Sequence, residues 1–282
     1  AGDILDNLPR GEEINMVREV SVELTGQMLA TLFDVPQEDR IKLVHWSDTV
    51  ASLGDPDAFA SPEEGFQILF ECLAYFQEYY EARKKEPPAF NLVSMLAHDE
   101  ATSEMGPQEL LGNIILLIVG GNDTTRNSIS GGVLALNRNP DQYEKLLQNP
   151  SLIPKMVPEI IRWQTPLAHM RRTAKVDMEF RGKSIKAGDK VVMWYLSGNR
   201  DETVFDDANR LRIDRENARA HVSFGFGVHR CMGNRLAELQ LKILWEELLA
   251  RFKGIEVVGD AVFNPNNFIH GIADLPVVLT RH

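Results

Sequence analysis

The chain has 282 residues, 44% of them hydrophobic, enough for one large domain or two ordinary ones around a substantial core. A formal charge of −11 argues against a nucleic-acid partner, because neutralising phosphates needs a basic surface. Cys72 and Cys231 are too few for a disulfide framework and point to the reducing cytoplasm, while the longest apolar run, 114–119, falls far short of the roughly 20 residues that span a bilayer.

Val17, Val20, Leu24, Met28 and Phe33 recur at helix spacing, and residues 38–50 and 63–85 continue the pattern. Pro36 and Pro87-Pro88 punctuate these segments. Gly106-Pro107 opens the longest helix, predicted to run to about Asn137 and to stop before Asn139-Pro140. Shorter helices are expected at 141–148 and 153–164. From 170 to 193 the texture becomes short strands joined by Arg181-Gly182-Lys183 and Ala187-Gly188-Asp189 turns. Residues 199–220 read as charged and irregular, 233–252 as an amphipathic helix, and 255–258 with 277–280 as a closing strand pair. The expected fold class is mainly α with a small β portion.

The most informative stretch is Phe224-Gly225-Phe226-Gly227-Val228-His229-Arg230-Cys231-Met232-Gly233, followed at once by a helix. Its glycines let the backbone turn sharply and approach a flat object closely. A cysteine at a helix N-terminus receives amide N–H bonds and the positive end of the helix dipole, which favour thiolate. An isolated cysteine in a glycine-bearing turn is more often a small buried hydrophobe. Zinc is the rival metal, but His229 and Cys231 supply two ligands and no paired motif elsewhere completes a tetrahedron. Arg230 breaks the G-x-G-x-x-G pattern, so a dinucleotide fingerprint is not supported.

Upstream, Gly120-Gly121-Asn122-Asp123-Thr124-Thr125 interrupts the longest helix with polar residues and two glycines, each costing about 1 kcal/mol relative to alanine. Two readings compensate for that cost. Glycines allow close helix packing, or they let a cofactor approach while the Thr124 hydroxyl bonds backwards and Asp123 and Thr124 pass protons. Glu159 and Arg162 sit three apart on one helix face and can meet.

These segments resemble the cytochrome P450 family of haem-thiolate monooxygenases. Phe224, Gly227, His229, Cys231 and Gly233 match its signature F-x-x-G-x-[HR]-x-C-x-G, residues 120–125 match [AG]-G-x-[DE]-T-[ST], and Glu159 to Arg162 match its E-x-x-R clasp. The resemblance implies haem b (iron protoporphyrin IX), with Cys231 as iron ligand, Phe224, Gly225, Gly120 and Gly121 around the macrocycle, and His229 and Arg172 on its propionates. Arg171 and Arg172 are adjacent, so the second contact rests on a choice between neighbours. It implies Asp123 and Thr124 as the oxygen-side proton pair, and a third clasp residue at Arg210 or Arg215. Leu116, Leu117, Leu167, Met170 and Phe268 are the expected substrate wall. Longer runs, among them Arg162-Trp163-Gln164-Thr165-Pro166-Leu167-Ala168-His169-Met170-Arg171-Arg172, resemble bacterial terminal hydroxylases of medium-chain alkanes and fatty acids. That implies an apolar substrate, or as alternatives a terpene or sterol-like substrate or a non-catalytic haem-binding fragment. It also implies electrons from a ferredoxin and its reductase, a cytoplasmic monomer, and a single domain over 1–282 lacking the N-terminal part typical of the family.

Overall fold

The computed structural model describes residues 1–9, 11–53, 55 and 58–282. It is mainly helical, with short antiparallel sheets. Chain contacts divide the expected single domain into two compact units: residues 1, 3–8 and 15–126, and residues 2, 9–14 and 127–282.

The first unit holds α1 (Gly2–Asp6, from Asp3 on), α2 (Glu23–Phe33), α3 (Arg40–Ser52), α4 (Pro62–Arg83), α5 (Leu92–His98) and the N-terminal part of α6 (Pro107–Arg138). The helical pattern expected from Val17 divides in two, because Val17–Val22 form a π-helix before α2 begins. Apolar residues four apart on α4 (Cys72, Phe76, Tyr80) and on α6 (Leu110, Ile114, Ile118) meet Leu29, Phe33, Leu43 and Trp46 in a buried core. Phe76 anchors it, its ring 5.0 Å from Phe33 and 5.8 Å from Trp46. Each fully buried aromatic or aliphatic side chain contributes about 1.5–3 kcal/mol. α5, not anticipated from the sequence, is capped by Asn91, whose Oδ1 accepts from the Ser94 amide at 2.8 Å.

The second unit receives α6 from Asn127 onward, then α7 (Pro140–Gln148) and α8 (Ile153–Gln164). Strand β1 (Glu13–Asn15) precedes a hairpin-rich stretch made of β2 (His169–Thr173), β3 (Met178–Phe180), β4 (Lys183–Ile185) and β5 (Lys190–Trp194). β2 and β5 pair antiparallel with Met170 opposite Met193 and Arg172 opposite Val191. Gly182 and Gly188 take positive φ in the two predicted turns. A short α9 (Tyr195–Gly198) leads into the irregular stretch, and α10 (Asn234–Arg251) is followed by β6 (Phe252–Val257), β7 (Val262–Phe263), β8 (Ile272–Asp274) and β9 (Pro276–Arg281). The expected closing pair exists as β6 with β9, and β1 joins it on the far side in the order β1-β9-β6. Asn137 of α6 grips β6 twice, donating to the Ile255 carbonyl at 3.1 Å and accepting from the Val257 amide at 3.0 Å.

Candidate functional site

In the first unit, α6 divides its polar insertion between two environments. Asn122, Asp123, Thr125 and Arg126 are buried, whereas Gly112, Leu116 and Gly120 are exposed at every fourth position and Thr124, next in that row, is half-buried. Thr124 Oγ1 donates to the Gly120 carbonyl at 2.8 Å, the backward bond expected of it. The stripe Leu116, Gly120, Thr124 is therefore the accessible face, with Leu116 itself 70% exposed.

Asp123 faces elsewhere. Its carboxylate accepts from Ser47 Oγ of α3 at 2.9 Å and pairs with Arg126 Nη2 at 2.6 Å, and the same nitrogen reaches Asp48 at 2.6 Å. Burial pushes the Asp123 carboxyl above its ordinary range, opposed by the Arg126 charge. Asn122, to which the sequence assigned no role, accepts from Thr25 Oγ1 of α2 at 2.7 Å. Two sequence expectations change here. Gly121 packs on α2, since a Cβ there would stand 2.8 Å from Leu29 Cδ2, so it serves helix packing and only Gly120 lies on the open stripe. Leu117, expected beside Leu116, turns instead toward the core of this unit.

In the second unit, the cysteine loop closes on itself through three backbone bonds: the Gly225 amide to the Val222 carbonyl at 2.8 Å, the Arg230 amide to Gly227 at 3.0 Å, and the Cys231 amide to Phe224 at 2.8 Å. Gly225 at φ 66° and Gly227 at φ 75° make the turns that an L side chain would strain. A Cβ on Gly225 would also approach Tyr195 Oη to 3.1 Å. The loop carries apolar side chains outward, with Phe226 90%, Val228 94% and Met232 79% exposed around an exposed Cys231. His229, at the end of a 3-10 turn, is exposed as well. Cys231 stands three residues ahead of α10, and desolvation pushes its thiol up while the Gly233 amide and Arg230 pull it down.

Behind this loop lies the clasp. Glu159 accepts from Arg162 Nε at 2.7 Å and Nη2 at 2.8 Å, from Arg215 Nε at 3.1 and 3.2 Å, and from the Arg212 amide at 2.9 Å. Arg215 is the third member. The Arg210 side chain, the first choice from sequence, is exposed and pairs with Asp141 at 3.2 Å, and only its carbonyl enters the clasp as an acceptor from Arg162 and Arg215. Arg162 Nη1 also donates to the Asn199 carbonyl at 2.6 Å. Asn199, which sequence reasoning missed, links clasp to loop: its Nδ2 donates to Thr165 Oγ1 and Ser223 Oγ at 2.8 Å each, and its Oδ1 accepts from the Val222 amide at 2.7 Å. No sequence motif marks an asparagine for such burial.

The expected wall segment runs beside the C-terminal turn. Leu167 and Ile269 form an isolated antiparallel bridge, the Ala168 amide donates to the Phe268 carbonyl at 2.9 Å, and Leu167, Met170 and Phe268 are half-buried. Arg172 lies on the half-buried side of β2 and its Nη1 bonds the Arg171 carbonyl at 3.0 Å, while Arg171 is exposed.

An accessible sulfur ringed by outward apolar side chains on a glycine-bent loop fits a flat apolar group with a thiophilic metal at its centre. Among the described residues no three His, Cys, Asp or Glu side chains gather as a metal cluster, so the zinc alternative has no ligand set. No helix among them is long and apolar enough to cross a membrane.

Comparison with known proteins agrees. The cytochrome P450 family model matches residues 57–268, and the chain belongs to that family. It is accordingly a haem b-binding oxidoreductase that incorporates oxygen into its substrate. Linalool 8-monooxygenase of Pseudomonas putida is 39% identical over 277 residues, 98% of this chain and 68% of that protein. A methyl-branched lipid omega-hydroxylase of Mycobacterium tuberculosis is 35% identical over 268 residues, 94% of this chain and 62% of that one. Among solved structures, cytochrome P450-153 from Novosphingobium aromaticivorans superposes with a TM-score of 0.91 at 50% identity, covering 99% of this chain and 68% of its own.

Two predictions follow from the clasp and its surroundings. Arg215→Ala removes a buried partner of Glu159 and is expected to cost about 3 kcal/mol in denaturant unfolding, whereas Arg210→Ala changes stability by less than about 0.5 kcal/mol. Equal losses for both would restore Arg210 to the clasp. The second concerns His221, whose Nδ1 accepts from the Ser223 amide and whose ring meets Phe224 at 5.1 Å. Burial, and then the charges of Arg219, Arg162 and Arg230, lower its pKa from 6.5 to about 4. In that window the unfolded chain binds the proton and the native one does not, so the contribution is intact above pH 6.5 and is lost as pH falls toward 4, by about 3 kcal/mol in all. Unfolding titrations of wild type and His221→Gln should differ in slope across this range and run parallel above it; parallel curves throughout would refute the assignment.

Proposed function

We propose that Cys231 binds the haem iron through its sulfur and that the protein hydroxylates the terminal carbon of medium-chain alkanes or fatty acids. The observation that carries the reading is the cysteine loop, which presents Cys231 among outward-facing Phe226, Val228 and Met232 with its backbone closed by the Cys231 to Phe224 bond. When bound, haem supplies the binding and reductive activation of dioxygen at its iron.

The chain's own residues perform the remaining tasks. Gly225 and Gly227 would let the macrocycle approach the loop backbone closely, Phe224 would offer it an apolar contact, and the clasp through Asn199 fixes the loop's first residues. His229 and Arg172 provide donors for the propionates. On α6, the Gly120 carbonyl orients the Thr124 hydroxyl, which offers its oxygen as acceptor and relays a proton along the open stripe. Asp123 resupplies that proton. Its carboxylate is held by Ser47 and Arg126, so delivery requires the side chain to exchange those partners for Thr124 or water. Leu167, Met170 and Phe268 furnish hydrocarbon surface for an apolar chain and exclude water from it, and Leu116 on the open stripe of α6 is a further apolar contact. Electrons come from a ferredoxin and its reductase.

Likeness to the methyl-branched lipid omega-hydroxylase supports attack at a chain end. A terpene substrate is the second reading, favoured by the 39% identity to linalool 8-monooxygenase.

Carbon monoxide added to the reduced, haem-loaded protein should shift the Soret band strongly to the red, and Cys231→Ser should abolish that shift. Products from octane, dodecanoic acid and linalool then decide the substrate: terminal alcohols from the first two support the reading, and dominant subterminal oxidation or turnover of the terpene alone removes it. Thr124→Ala should lower product formed per electron consumed by about tenfold or more while leaving the carbon monoxide spectrum in place; unchanged coupling would remove Thr124 from the relay.

A further inference from the structure

The C-terminal turn that carries Phe268 and Ile269 is fastened to two helices by side chains outside the described site. Asn127, fully buried on α6, accepts the Ile272 amide on its Oδ1 at 2.9 Å. Gln164, the last residue of α8, donates through Nε2 to the His270 carbonyl at 2.9 Å, and its own carbonyl meets His270 Nδ1 at 2.7 Å. Two glycines make room for these contacts. A Cβ on Gly131 of α6 would stand 2.1 Å from Gln164 Oε1, and one on Gly271 would stand 2.8 Å from Asn264 Nδ2 and 3.2 Å from Asn127 Nδ2.

β7 and β8 are two and three residues long, and between them the Asn264 amide bonds the Gly271 carbonyl at 3.0 Å while Asn266 Oδ1 accepts from the Phe268 and Ile269 amides. From that tip the chain meets the wall segment directly: the His270 amide bonds the Pro166 carbonyl, and the Ala168 amide bonds Phe268. A change in either side-chain fastening therefore moves the Leu167 to Ile269 crossing, and with it the two apolar residues Leu167 and Phe268.

We propose that Asn127 and Gln164 are positioning residues for regioselectivity: by pinning the Phe268 turn to α6 and α8 they set where the wall stops an apolar chain, and so which carbon is oxidised. This rests on the reading that Leu167 and Phe268 line the substrate wall. Both bonds lie within the second unit, where Asn127 and Gln164 tie the turn to the segment of α6 from Asn127 onward and to α8. Neither residue touches the reacting atoms in this account.

The experiment compares haem-loaded full-length wild type, Asn127→Leu, Asn127→Asp and Gln164→Met, with octane as substrate. Three quantities are read: the carbon monoxide difference spectrum, backbone amide hydrogen exchange in the peptide containing Ile272, and the ratio of 1-octanol to 2-octanol. Asn127→Leu should keep the spectrum, raise exchange at Ile272 and lower the alcohol ratio, each by about fivefold, the scale of one lost buried hydrogen bond. Asn127→Asp keeps the acceptor oxygen and should return both toward wild type. If Asn127→Leu fails to load haem, Gln164→Met carries the same test at the His270 fastening. Faster exchange with an unchanged alcohol ratio overturns the proposal, as does unchanged exchange or a failure of Asn127→Asp to restore either quantity. A wild type that yields no octanol at all sinks the underlying function reading instead, and this is seen before any variant is measured.

Discussion

The second unit depends on a buried carboxylate that receives two guanidinium groups. Glu159, Arg162 and Arg215 are each under 5% exposed in side chain, an arrangement that costs several kcal/mol per ion in desolvation before any attraction is counted. An apolar cluster of equal volume would pack at lower cost. What it could not do is satisfy backbone. The coil after α9 has no strand and almost no helix of its own, so its carbonyls need donors once they are buried. Arg162 serves Asn199, Ala208 and Arg210, and Arg215 serves Asp206, Asp207 and Arg210. The guanidiniums thus act in place of a sheet partner, and Phe205 lies beneath both, 5.1 Å from Arg162 and 6.0 Å from Arg215.

The cysteine loop inherits its position from this arrangement. Arg162 fixes the Asn199 carbonyl, the Asn199 side chain fixes Val222 and Ser223, and the Cys231 amide closes back on Phe224. A loop held only by hydrophobic packing would collapse its apolar residues inward. Here polar bonds at its base leave Phe226, Val228 and Met232 facing outward, which is the form that a flat apolar partner requires. Cost and function are linked: the expensive buried charges sit where irregular backbone must be rigid.

Much of this was legible in the sequence because periodicity and punctuation were strong. The ends of α6, α7 and α8 follow Pro107, Pro140 and the left-handed Thr165 closely, and the strand pairs fall where Gly182 and Gly188 turn the chain. The π-helical entry to α2 and the short α5 were not legible, since their side-chain spacing is that of any amphipathic turn. The clasp was half legible. Glu159 and Arg162 are neighbours on one helix, but choosing Arg215 over Arg210 depends on the path of a coil more than forty residues downstream, which local pattern does not encode. Of the glycine pair, Gly121 admits Leu29, as the close-packing reading requires, and a Cβ on Gly120 would meet no atom within 4 Å.

The same division of labour explains why α6 tolerates so polar a centre. A helix containing buried Asn122, Asp123, Arg126, Asn127 and Ser130 would be unstable if each polar group lacked a partner, at about 1–3 kcal/mol apiece. Thr25 and Ser47 meet Asn122 and Asp123, Asp48 meets Arg126, and the Ile272 amide meets Asn127. Each pairing is a long-range contact, so the polar run is what commits neighbouring segments to one register against the helix. Apolar residues at these positions would let α2, α3 or the C-terminal turn slide by a fraction of a turn at little cost. With the polar set in place such a slide strands buried donors and acceptors, and within the first unit Thr25 and Ser47 hold the face of α6 behind Thr124.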